Sequence, residues 1–96
     1  MKIEYHPFTV DDLNDAEIHY DQLQPGLSQA FRAEVIQTIE QIKDRPFLYA
    51  EINDVRRALL RHFPFSIVYR VLSNDRIRIL LIRHHKRHPE FGSGRN

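Results

Sequence analysis

The 96-residue chain suffices for one domain and is too short for a Rossmann pair or a β/α barrel. Hydrophobic residues at 42% and charged residues at 28% are ordinary globular usage, and the start MKIEYHPF does not read as a signal peptide. No apolar run approaches the roughly 20 residues of a membrane helix. The absence of cysteine excludes disulfides, thiolate metal sites and thiol nucleophiles, and fits the cytoplasm as the expected location.

The net charge of +1 conceals a division along the chain. Residues 1–54 carry four Lys/Arg against eleven Asp/Glu, a net of −7, and residues 55–96 carry ten against two, a net of +8. Such asymmetry suggests one face able to meet an anion and one that repels it, or two halves that neutralise each other.

In chain order, Lys2–Tyr5 (KIEY) alternates apolar and polar residues before His6-Pro7 and predicts a short strand. Thr9 followed by Asp12 resembles a capping box, with Asp11, Asp12 and Asp15 near the positive end of the helix dipole. Val10, Leu13, Ala16, Tyr20 and Leu23 recur at spacings of three and four, the apolar face of a helix that Pro25-Gly26 ends. Leu27, Phe31, Val35, Ile39 and Ile42 form the stripe of a second helix, closed by Pro46. From Val55 the period changes to that of strands: Val55–Leu60, Phe65–Leu72 and Arg76–Arg83, the last two joined by a Ser73-Asn74-Asp75 turn.

The predicted fold is α+β in the order β-α-α-β-β-β, a helical hairpin packed on one face of a largely antiparallel sheet. Phe31, Val35, Ile39, Ile67, Tyr69, Ile79 and Leu81 are the expected core between helices and sheet. Residues 1–91 are read as a single domain, and 92–96 (GSGRN) as a flexible C-terminal tail.

Several chemistries drop out. Three glycines in no phosphate-loop pattern exclude a P-loop or dinucleotide fingerprint, and no serine sits in a recognisable triad context. His84-His85-Lys86-Arg87-His88 invites a metal reading, but cations separate its imidazoles and Pro89 opposes a helix aligning His84 with His88; no metal and no cofactor are expected. Arginine outnumbers lysine eleven to three. Arg57 and Arg61 share a strand parity, Arg70 projects from the next strand, Arg76 and Arg78 from the one after, and Arg83 to Arg87 extend the patch. Guanidiniums so placed clamp phosphates or acidic protein surface, unless they simply form the wet face of the sheet.

The run VRRALLRHFPFSIVYRVLSNDRIRILLIRHHKRHPEF, from Val55 to Phe91, resembles the C-terminal half of RelE/ParE-superfamily toxins of bacterial type II toxin–antitoxin modules. The preceding LQPGLSQAFRAEVIQTIEQIKDRP is similar to their second-helix signature, so the resemblance spans Ile3 to Phe91. Members resembling RelE cut messenger RNA on the ribosome. They place basic side chains at alternate positions of the second strand, an arginine early in the third and a tyrosine near the C-terminus. Arg57 matches the first of these, but Leu59, Ser66 and Phe91 stand at the other places. If the chain were such an endoribonuclease, the catalytic candidates would be Arg57, Arg61, Arg83, His84, His85 and Arg87. The ending Arg87-His88-Pro89-Glu90-Phe91 is closer to ParE, the plasmid-stabilisation type.

The ParE resemblance implies a toxin that poisons DNA gyrase without chemistry of its own and is neutralised by a cognate antitoxin from an adjacent gene. The expected partner contacts, from the basic sheet face, are Arg57, Arg61, Arg70, Arg83, His85 and Arg87, and a second copy is expected to cover the apolar surface of the free toxin, as a homodimer. The alternatives are the RelE-type nuclease, with ribosome and mRNA as partners, and an inactive interaction domain of the same fold. No membrane partner is expected.

Overall fold

Two helices lie against one face of a five-stranded sheet in the computed structural model, which describes residues 2–87, 91–92, 94 and 95. The elements are β1 (Lys2–Tyr5), α1 (Thr9–Leu23), α2 (Leu27–Asp44), β2 (Glu51–Ile52), β3 (Val55–Leu59), β4 (Phe65–Ser73) and β5 (Arg76–His84). The sheet order is β1-β5-β4-β3-β2; β1 runs parallel to β5 and every other pair is antiparallel. The helical hairpin is thus a crossover that carries the chain from one edge of the sheet to the other. It turns at Gly26, whose φ of 85° a side chain would strain.

β2 adds to the predicted order. Asn53 and Asp54 both take positive φ (52° and 67°), the conformation of a two-residue type I′ hairpin, and fold β2 back on β3. Arg56 steadies this corner by donating to the Tyr49 carbonyl (2.6 Å) and to Glu51 (3.1 Å).

The main core lies between helices and sheet. Phe31, Val35 and Ile42 from α2 and Ala16 and Tyr20 from α1 meet Ala58, Phe65, Ile67, Tyr69, Ile77, Ile79 and Ile82. Ile39, at the margin of its stripe, is only half-buried. The Tyr69 hydroxyl donates to the Pro46 carbonyl at 2.6 Å, which pins the end of α2 to the middle of the sheet. Burial pushes this phenol up to about 12, so it remains a donor.

Leu81 is buried on the opposite face. Tyr69 pairs with Ile79 and Val68 with Leu81, so Leu80 is an extra residue on β5 and the side-chain parity reverses there. Ile77 and Ile79 face the helices before the bulge and Ile82 after it. Leu80 and Leu81 form a second small cluster with Val68, against which Val55 and Phe91 pack.

The expected capping box at Thr9 and Asp12 does not form. Phe8 occupies the cap position and makes no side-chain cap hydrogen bond. β1 ends at Tyr5, leaving the edge of β5 unpaired beyond Ile79, and α1 begins directly over that edge. The Thr9 hydroxyl lies 3.2 Å from the Leu80 carbonyl and 3.4 Å from that of Ile79, and the Asp12 carboxylate accepts the Ile82 N–H at 3.1 Å. Both side chains are buried because their partners belong to the sheet.

Candidate partner-binding face

The pleat assigns every strand residue to the helix-covered face or to the open one. Ala58, Ile67 and Ile82 form one cross-strand row under the helices. Their neighbours therefore point away: Arg57, Val68 and Leu81 in one row, Leu59, Ser66 and Arg83 in the next. Arg70 pairs with Arg78 further along the same face, beside Arg76 and Glu4. Arginines are tolerated here because the hairpin covers only the other side, leaving their heads in water.

The cations are not equivalent. Arg76 and Arg78 are tied to Glu4 across the β1–β5 pair, at 2.5 Å and 3.0 Å. Hydrogen bonds from Arg76 and then Arg78 hold the Glu4 carboxyl below its usual range. Arg57, Leu59, Arg83, His85 and Arg87 line a cleft of about 230 Å³ at the other end of the face, and none of its described lining residues is acidic. The His85 Nε2 lies 2.9 Å from the Ser66 hydroxyl, which orients the ring at the cleft wall. The Arg87 guanidinium lies over the Phe91 ring, 4.8 Å from its centroid.

Two of the expected site residues lie elsewhere. β3 ends at Leu59 and Leu60 still points into the core, but Arg61 falls in the exposed loop beyond it. That loop is tied to α2: the His62 N–H donates to Glu34 at 3.0 Å, and the His62 Nδ1 contacts the same carboxylate at 2.5 Å. Burial pushes the Glu34 carboxyl up, but these hydrogen bonds, with one from the Arg61 backbone, outweigh it and leave the group below its usual range. His84 faces the helix side. It packs edge-on against Phe65 and, with Asp15 and His19, lines a separate cleft. Burial, assisted by the nearby charges of Lys86, His85, His19 and Arg87, lowers its pKa, and its Nδ1 accepts the Lys86 N–H at 2.9 Å.

Adjacent histidines at the end of a strand thus serve opposite faces, and only His85 reaches the cationic cleft. His88, Pro89 and Glu90 lie outside the described residues, as do Ser93 and Asn96. Among the described residues no three metal-ligating side chains come together, and no helix is long and apolar enough to cross a membrane.

Two features escaped the sequence reading. One is the Ser66–His85 contact, which depends on strand pairing. The other is Arg95, which lies in the stretch read as tail and is bidentate to Asp12 at 2.6 and 3.2 Å. Its guanidinium also lies 5.6 Å from the Phe8 ring centroid and 5.3 Å from that of Phe91.

An αα hairpin on a mixed five-stranded sheet, with an arginine-rich bare face, is the RelE/ParE-like fold. The model of the ParE toxin of type II toxin–antitoxin systems (parDE) matches residues 3–89, and the chain belongs to that family. Among solved structures it is similar to the chromosomal ParDE toxin–antitoxin system from P. aeruginosa. That match has a TM-score of 0.76 and 22% identity, and covers 88% of this chain and 95% of that one. No curated protein matches the sequence.

Proposed function

We propose that this toxin acts in the cytoplasm by binding DNA gyrase, without covalent chemistry of its own, and that a cognate antitoxin encoded beside it neutralises it. The observation that carries the gyrase reading over RNA cleavage is the division of the two histidines between opposite faces. Cleavage by a 2′-hydroxyl needs a base and an acid on either side of one phosphate. His84 is turned under the helices, and the Ser66 hydroxyl that holds His85 is itself buried. Among its described lining residues, the cleft offers cations for contact and one imidazole, with no second group placed for a general acid–base pair.

Arg57, Arg70, Arg83, His85 and Arg87 are the proposed partner contacts; Arg61, in the loop beside Glu34, is left for a different surface. The antitoxin is expected to be acidic and extended, drawn by the cationic half. Its apolar anchors would cover Ile18, Leu23 and Ile36 on the exposed side of the hairpin (57, 63 and 56% exposed). Without an antitoxin, the same patch suits a second copy of the chain.

Purified protein added to gyrase and supercoiled plasmid is expected to accumulate cleaved plasmid, while message on translating ribosomes stays intact. Codon-specific cuts in the message, with supercoiling unaffected, would reverse the assignment to the nuclease.

A further inference from the structure

Arg87 is exposed, on a turn whose backbone is fixed. Its N–H donates to the His84 carbonyl at 3.0 Å, and the His85 N–H donates to that of Pro64 at 2.8 Å. The long side chain still has its rotamers to settle, and it borders two clefts at once. One is the cationic cleft of the open face; the other, on the helix side, also holds Asp12 and Asp15. Which of them the guanidinium serves depends on what holds it.

The Phe91 ring does so, with its centroid 4.8 Å from the Arg87 guanidinium. That ring is itself anchored. It packs on Val68, Leu80 and Leu81. The next residue, Gly92, takes a φ of 75° at a place where a Cβ would meet the Leu81 side chain at 2.5 Å, so glycine lets the segment lie close to β5. Arg95 then ties the segment down, donating to the Leu80 carbonyl at 3.2 Å and to both oxygens of Asp12. Its guanidinium lies 5.3 Å from the same Phe91 centroid, so one ring serves two cations. Two guanidiniums at one ring repel each other unless one is neutralised, and the buried Asp12 carboxylate neutralises Arg95. The contacts Asp12–Arg95–Phe91–Arg87 thus run unbroken from the start of α1 to the rim of the cationic cleft.

We propose that Phe91 is a positioning residue: held by Arg95 and Asp12, it keeps the Arg87 guanidinium at the rim of the open-face cleft for the partner. The inference rests on the reading of Arg87 as a gyrase contact and adds what orients it. A long exposed side chain fixed beforehand loses less rotamer freedom on binding. Without the ring, Asp15 across the helix-side cleft competes for the guanidinium.

Two readouts on the full chain separate positioning from packing. The first needs no partner: in ¹⁵N-labelled protein the Arg87 Nε–H resonance carries a ring-current displacement from Phe91. Phe91→Leu keeps apolar packing on Val68, Leu80 and Leu81 without a ring, and Phe91→Tyr keeps the ring. The displacement is expected in the parent and in Phe91→Tyr, and is lost in Phe91→Leu. The second readout is affinity for gyrase. Phe91→Leu should bind about 2- to 10-fold more weakly, the cost of ordering one long side chain, while Phe91→Tyr binds like the parent. In an Arg87→Gln background the same Phe91→Leu change should have no further effect, because the group it positions is gone. Equal losses in both backgrounds would overturn the proposal, since packing alone predicts them. So would an Arg87 resonance indifferent to Phe91→Leu, or an Arg87→Gln variant that binds gyrase like the parent. If the parent itself does not bind gyrase, the gyrase reading fails separately and the resonance alone decides whether Phe91 positions Arg87.

Discussion

Replacing Phe31 by alanine is expected to destabilise the protein by about 3–5 kcal/mol. The side chain has no exposed surface and sits where both helices meet the sheet. Its ring centroid lies 5.2 Å from those of Tyr20 and Phe63 and 5.0 Å from that of Phe65, in tilted or edge-on geometries that add to simple burial. Truncation leaves a hole bordered by three rings, which cannot all collapse into it. A domain of this length commands on the order of 5–14 kcal/mol in total, so the loss is a large share. Each kcal/mol lowers the melting temperature by roughly 4–8 °C at this size, which places the variant near its transition at physiological temperature. Urea titration measures the loss directly, and Phe31→Leu should recover more than half of it. A cost below about 1 kcal/mol would mean that the hairpin does not dock as described.

The second large effect is expected at Asp12. Its carboxylate is the meeting point of three distant parts of the chain: α1, the unpaired edge of β5 and the segment at Arg95. The pair is desolvated, with side-chain exposures of 13% for Arg95 and 5% for Asp12, and the carboxylate also satisfies the Ile82 N–H. Asp12→Ala removes both interactions and leaves a buried backbone donor unpaired, at a cost of about 3–5 kcal/mol. Arg95→Ala should cost less, because Asp12 keeps its bond to Ile82 and water can reach the vacated side. The order Asp12→Ala worse than Arg95→Ala, read from paired denaturant titrations, is the checkable outcome. The reverse order would mean that the Ile82 contact contributes nothing.

Both sites show where sequence reading succeeds and where it stops. Phe31 was legible because a 3.6-residue period in an amphipathic stretch is a local property, and the helix keeps it over its whole length. Asp12 was read as a cap because Thr9 and Asp12 have the spacing of one; their actual partners are 70 or more residues away in the chain. Leu81 was assigned to the helix face by strict alternation, and the extra residue at Leu80 reversed it. A bulge leaves no mark in a run as uniformly apolar as Ile79–Ile82. The Asn53-Asp54 hairpin went unread, because a two-residue strand lies below what periodicity detects.

The candidate face was legible as a set of cations and not as a surface. Composition gave the arginines, and strand parity placed Arg57 and Arg70 on the open face. Strict alternation from Ile77 puts Arg83 with Leu81 under the helices, and it is the bulge at Leu80 that brings Arg83 to the open face. Parity misplaced Arg61, because β3 stops at Leu59 and Arg61 lies in the loop beyond it. It was silent on the opposed orientations of His84 and His85, which follow from a strand that continues through His84. The pairing of Arg76 and Arg78 with Glu4 depends on the parallel β1–β5 register, which joins the two ends of the chain.

The most direct measurement is induction of this gene in a bacterial host with and without its neighbouring gene. Growth arrest with DNA-damage signalling, ongoing protein synthesis and rescue by the neighbour's product is the expected result. Arrest that begins with translational shut-off and cleaved message, or unimpeded growth from a folded and abundant protein, would contradict it.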